Sequence, residues 1–147
     1  MTNKRKVLVV DASKVVRASL IKQLSDRFEV RDEQNDESAW QTMVLDSAIV
    51  AVVSGIALDR DDGRGLLERL RDSKLSRLRN VPFLLMVSSS FTDADRQKAR
   101  KLGVSGFIVK GASEPSIESI VSAQMEWREG SAEARPAAPA PLPEEPF

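Results

Sequence analysis

Val7-Leu8-Val9-Val10-Asp11-Ala12-Ser13 is the stretch that decides the fold. Its first four residues are apolar at every position, and a single carboxylate follows them. A strand that faces water on one side alternates apolar with polar residues. A strand that is apolar throughout is covered on both faces, as in a parallel sheet. Ile49-Val50-Ala51-Val52-Val53 and Phe83-Leu84-Leu85-Met86-Val87 repeat the pattern, and Phe107-Ile108-Val109 repeats it in shorter form. Phe28-Glu29-Val30-Arg31 instead alternates apolar with charged, which places it at a sheet edge.

Helical periods lie between these runs. Val16, Leu20 and Leu24 recur at four-residue spacing behind Ser13, a suitable N-cap. Ala39, Trp40, Met43 and Val44 form a second stripe that packs against the sheet, and Leu66, Leu67 and Leu70 form a third after Gly65. Thr92-Asp93-Ala94-Asp95 reads as a capped start, and Gly103 ends that helix. A fifth helix is expected from about Pro115 to Gly130. Five strands alternating with five helices predict a doubly wound α/β sheet in the flavodoxin-like order 2-1-3-4-5. This domain is expected over residues 1–130. Residues 131–147 hold five of the seven prolines and five alanines, the composition of a disordered tail or linker.

Composition narrows the function. Among 147 residues, 22 Lys+Arg balance 22 Asp+Glu, so no overall positive field invites nucleic acid or an anionic membrane. Cysteine and histidine are both absent, which removes disulfides, thiolate metal sites and any Ser-His-Asp triad. No apolar run approaches the ~20 residues of a membrane span. The basic N-terminus has no signal-peptide h-region, so a cytoplasmic protein is expected.

In doubly wound sheets, ligands bind outside the carboxyl ends of the strands. The residues there are Asp11 after the first run, Ser54 and Gly55 after the third, Ser88, Ser89 and Ser90 after the fourth, and Lys110 after the fifth. A flavin-type phosphate loop is excluded, because Asp11-Ala12-Ser13-Lys14-Val15 contains no glycine and presents a carboxylate. No cofactor is expected.

From about Lys6 to Met125 the chain resembles a response-regulator receiver domain, the chemotaxis-regulator-like fold of two-component signalling. The resemblance rests on four motifs: Val7 to Ser13 as first strand and acidic pair, Asp62-Gly63 before Leu66 to Arg71 as the turn opening the third helix, Val81-Pro82 through Ser88 as fourth strand with its switch hydroxyl, and Gly106-Phe107-Ile108-Val109-Lys110 as fifth strand with switch aromatic and lysine. It implies phosphoryl transfer from a phosphohistidine donor to an aspartate, with two further acids and a divalent cation.

The sequence departs from that pattern. The second acid is Ala12, the position seven residues before Asp62 is Gly55 instead of the phosphoacceptor aspartate, and Gly111 stands where the family usually has proline. The expectation is a pseudo-receiver that holds no metal, catalyses nothing and docks or dimerises. Its degenerate pocket consists of Asp11, Ala12, Gly55, Ser88 and Lys110, with Phe107 at the switch position. Asp11 and Lys110 are expected to pair directly or through water, and Asp59, Asp61 and Asp62 to form a solvated turn. Ile120, Ala123 and Trp127 add a second apolar stripe to the fifth helix. That stripe points to a homodimer or protein partner through the family's fourth-helix, fifth-strand and fifth-helix face. The alternatives are an N-terminal regulatory domain of a larger protein, such as a diguanylate cyclase, and an atypical receiver that is still phosphorylated.

Overall fold

The computed structural model describes residues 4–55, 65–110 and 117–124. Its strands are β1 (Arg5–Val10), β2 (Phe28–Glu33), β3 (Ile49–Ser54), β4 (Phe83–Val87) and β5 (Gly106–Val109). Its helices are α1 (Lys14–Leu24), α2 (Asp36–Leu45), α3 (Leu66–Arg71), α4 (Ser76–Arg79), α5 (Asp93–Leu102) and α6 (117–124). The strands are all parallel, in the order β2-β1-β3-β4-β5, as the apolar runs required.

Residues 7 to 10 of β1 have no exposed surface, and their side chains alternate between two cores. Leu8 and Val10 join Val52, Phe83, Leu85, Ala39, Met43 and Leu70 on the face covered by α2, α3, α4 and α5. Val7 and Val9 join Ala51, Val53, Leu84, Leu20, Leu24 and Val121 on the face covered by α1 and α6. Each fully buried Val or Leu contributes roughly 1.5–3 kcal/mol, so this alternation specifies the two-layer cover.

Six helices stand among the described residues where the periodicity predicted five. The addition is α4, four residues long with one buried apolar side chain, Leu78, too short to set up a period. Its Arg77 donates to the Met43 and Val44 carbonyls at 2.8 and 3.0 Å, closing the C-terminal end of α2. The expected fourth and fifth helices are therefore α5 and α6. The α2 stripe is narrower than expected. Ala39 and Met43 are buried and Trp40 packs beside them, but Val44 reaches solvent. The expected limits Pro115 and Gly130, the third-helix turn Asp62-Gly63 and the 131–147 tail lie outside the described residues.

Local capping follows the sequence. Ser13 Oγ accepts the Val16 N–H at 3.2 Å at the start of α1. Thr92 and Asp95 form a reciprocal capping box on α5. Gly103, at φ 114°, takes the left-handed conformation that ends α5.

At the other end of the sheet, Lys6 donates to Asp46 Oδ2 at 2.8 Å, and the Ala48 N–H donates to Oδ1 at 3.0 Å. The Lys6 hydrogen bond, helped by the Ala48 N–H, holds the Asp46 carboxyl below its ordinary range. The same bond raises Lys6. A depressed carboxyl stabilises the fold above its unfolded pKa, and that contribution is lost as pH falls through the folded pKa. Asp46→Asn is therefore expected to lower the thermal midpoint at pH 7, with the gap to the parent closing as pH drops below the ordinary carboxylate range. Parallel melts from pH 7 to pH 3 check this; a gap independent of pH contradicts it.

Candidate functional site

A parallel sheet brings its carboxyl ends to one rim, and the ladder fixes who meets whom. Val10 pairs with Ser54, Ser54 with Leu85, and Val87 with Val109. The ladder continues one step past the strands. The Asp11 N–H donates to Glu33 O at 3.1 Å, the Gly55 N–H to Val10 O at 2.8 Å and the Lys110 N–H to Val87 O at 2.8 Å. Asp11, Gly55, Ser88 and Lys110 thus stand at the rim positions assigned to them from the sequence.

Asp11 is the buried member, with 7% of its surface exposed. Its Oδ1 accepts the Ser13 N–H at 2.8 Å, a turn that also sets Ser13 to cap α1. Arg17 braces this junction from α1, donating to the Asp11 carbonyl at 2.7 Å and to Asp32 Oδ2 on β2 at 2.9 Å. The other carboxylate oxygen lies over Gly55. A Cβ at position 55 would fall 2.0 Å from Asp11 Oδ2 and 3.2 Å from its Cγ. Ala12 beside it is exposed.

The direct form of the expected Asp11–Lys110 pair is not made. Lys110 is exposed, and no ion pair joins the two among the described residues. The sheet order explains why. β1 and β5 are separated by β3 and β4, three spacings of roughly 4.8 Å each. Reaching Asp11 would draw the ammonium across the rim and out of water, while the Asp11 carboxylate already has a backbone donor.

Ser88 is exposed. Its hydroxyl lies 2.8 Å from that of Ser90, and its carbonyl accepts the Phe91 N–H at 3.1 Å, which makes a turn leading to α5. Phe107 is half-buried, with its ring centroid 5.8 Å from that of Phe91. The Arg96 and Arg100 guanidinium carbons each lie 5.2 Å from the Phe107 centroid. The sequence reading missed these two arginines, although their four-residue spacing on one helix was a usable signal. It also missed Asp36, whose buried carboxylate accepts the Leu66 N–H at 3.1 Å at the start of α3. Nothing local links residues thirty apart.

Of the second apolar stripe, Ile120 packs partly into the core beside Val121, and Ala123 is exposed. Trp127 lies outside the described residues, as do Asp59, Asp61, Asp62 and Gly111. A cavity of about 310 Å³ beside α3, lined by Asp36, Ser54, Leu66, Phe83 and Lys101 among others, takes in neither Asp11 nor Lys110. Among the described residues no three His, Cys, Asp or Glu side chains converge as a metal site. No described helix is long and apolar enough to cross a membrane.

Solved structures share this architecture. CheY4 of Vibrio cholerae, a chemotaxis response regulator, is 18% identical with a TM-score of 0.69, over 83% of this chain and 99% of that one. Full-length FixJ of B. japonicum is 23% identical with a TM-score of 0.72, over 90% of this chain and 63% of that one. The signal receiver domain of an HD domain-containing protein from Pseudomonas fluorescens Pf-5 is 18% identical with a TM-score of 0.70, over 91% and 96%. No curated protein matches the sequence. The family model described as the response regulator receiver domain matches residues 7–122. Because that match runs from the first core strand into the last described helix, the chain belongs to the family of response regulator receiver domains.

Proposed function

We propose that this receiver domain works without phosphoryl chemistry, as a protein docking or dimerisation module in two-component signalling. The observation that carries the reading is Gly55 at the end of β3, where the family places its phosphoacceptor aspartate. Glycine has no side chain to phosphorylate. The divalent cation that the family implies does not suit the residues present. Asp11 supplies one carboxylate, already engaged by the Ser13 N–H, and neither Ala12 nor Gly55 has a side-chain oxygen. Magnesium prefers one or two carboxylates together with phosphate oxygens. Ser88 and Lys110, both exposed, are left as solvated polar groups at the rim.

A domain without chemistry transmits information through its surface. The face of α5, β5 and α6 suits a second copy of the chain. On α5 the acids Asp93 and Asp95 fall in the first turn, and the bases Arg100 and Lys101 in the last. Two such helices packed antiparallel across a two-fold axis set each acidic turn against a basic one. Arg96 and Arg100 hold Phe107 beside them, and Ala123 offers a small exposed apolar contact on α6. Trp127 belongs to the same proposed interface by sequence. Ile120 contributes less than its spacing suggested, since it packs partly inward.

The alternative of a regulatory domain within a larger protein has one supporting observation. The chain covers 63% of full-length FixJ, so in that protein a further segment accompanies the domain. The length of the reading frame decides it.

Three measurements test the proposal. Millimolar magnesium is expected to leave the thermal midpoint unchanged; a rise of several degrees would reveal binding to the folded state and contradict it. Acetyl phosphate is expected to leave no phosphoryl adduct by intact-mass spectrometry. An adduct on Asp59, Asp61 or Asp62 would instead make this an atypical, phosphorylatable receiver. Light scattering at tens of micromolar is expected to show self-association that Arg100→Glu and Ala123→Glu each weaken, with the fold intact by circular dichroism. A stable interface needs about 1,000 Å² of buried surface, so a parent chain that stays monomeric at that concentration ends the dimer reading.

A further inference from the structure

We infer that Asp11 acts as a built-in plug at the sheet rim: its carboxylate, supplied from the residue after β1, fills the volume of the side chain that Gly55 lacks. The inference rests on reading Gly55 as the vacated acceptor position and adds what took its place.

A Cβ on residue 55 would sit 2.0 Å from Asp11 Oδ2, far inside van der Waals contact. Asp11 is not free to swing aside at no cost, because Oδ1 accepts the Ser13 N–H at 2.8 Å and the residue is buried. Among the described glycines only Gly103 has a positive φ, so Gly55 is not required for its backbone conformation. What position 55 demands is the missing Cβ. The Gly55 N–H donates to Val10 O at 2.8 Å, which holds the two strand ends side by side. A side chain at 55 and the present Asp11 conformation therefore exclude each other.

The coupling follows directly. Any residue larger than glycine at 55 must push the Asp11 carboxylate out, breaking its bond to Ser13 at the point where α1 is capped. In a chain whose Asp11 carboxylate has been removed, the same change meets no obstacle and can even stabilise by restricting the unfolded chain.

Thermal midpoints of the parent, Gly55→Ala, Asp11→Ala and the double variant test this. Gly55→Ala is expected to lower the midpoint by about 4 °C in the parent and to leave it unchanged or raised in the Asp11→Ala background. An equal fall in both backgrounds, or no fall in the parent, overturns the inference. If Gly55→Ala alone fails to fold, a folded double variant supports the plug and an unfolded one overturns it. If Asp11→Ala itself unfolds the chain, hydrogen exchange at the Ser13 amide in the parent and Gly55→Ala carries the test. A tenfold or greater loss of protection supports the plug, and unchanged protection overturns it. A phosphoryl adduct from acetyl phosphate would defeat the proposal of the preceding subsection and leave this cycle standing, so the two can fail separately.

Discussion

Two-sided burial of β1 is the constraint on which the rest of this structure depends. Val7 and Val9 need cover on one face of the sheet, Leu8 and Val10 on the other. Only a helix layer on each side supplies both, and only crossover connections between parallel strands deliver helices to both layers. Once that arrangement is imposed, every strand ends at the same rim. The chemical character of the rim is then set by whichever residue follows each apolar run. Arg17 ties the resulting junction together by bonding the Asp11 carbonyl and the Asp32 carboxylate at once.

The rim is organised by the cost of burying charge. A carboxylate removed from water must find donors, and Asp11 finds the Ser13 N–H within its own turn. A lysine three strands away gains little by crossing to it and would lose hydration on the way. Lys110 accordingly stays in solvent. The small size of Gly55 completes the arrangement, because it lets the carboxylate settle inward between the ends of β1 and β3.

The helix that flanks β5 is held by different means. α5 carries six charged residues and buries only Ala99, so apolar contact secures little of it. Its ends are closed by the Thr92–Asp95 capping box, where the Thr92 N–H holds the Asp95 carboxyl below its ordinary range, and by the left-handed turn at Gly103. Arg71 of α3 donates twice to the Gly103 carbonyl, at 3.0 and 2.8 Å, joining the two helices where packing is thin. Arg96 and Arg100 settle against the Phe107 ring, an arrangement worth about 0.5–1 kcal/mol at an exposed site. A helix secured at its ends and along one edge leaves a charged outer face free for contact.

Period and capping were legible without coordinates. The apolar runs marked strands covered on both faces, the alternation at Phe28 marked an edge, and Ser13, Thr92 and Gly103 marked helix ends, because each of these signals depends on residues within one turn or one strand. The rim positions of Asp11, Gly55, Ser88 and Lys110 followed from the same runs, and the resemblance to receiver domains from the motifs around them. What the sequence could not decide was contact across the sheet. It allowed Asp11 to pair directly with Lys110, whereas the order of strands sets three spacings between them. It left α4 unseen because four residues make no period, and it did not connect Asp36 to Leu66 or the arginines of α5 to Phe107. Most of all, it read Gly55 as an absence, while the folded chain fills that space with the carboxylate of Asp11. Local patterns report how a segment is buried. Which side chain occupies a shared volume depends on distances between segments far apart in sequence, and only the folded chain sets those distances.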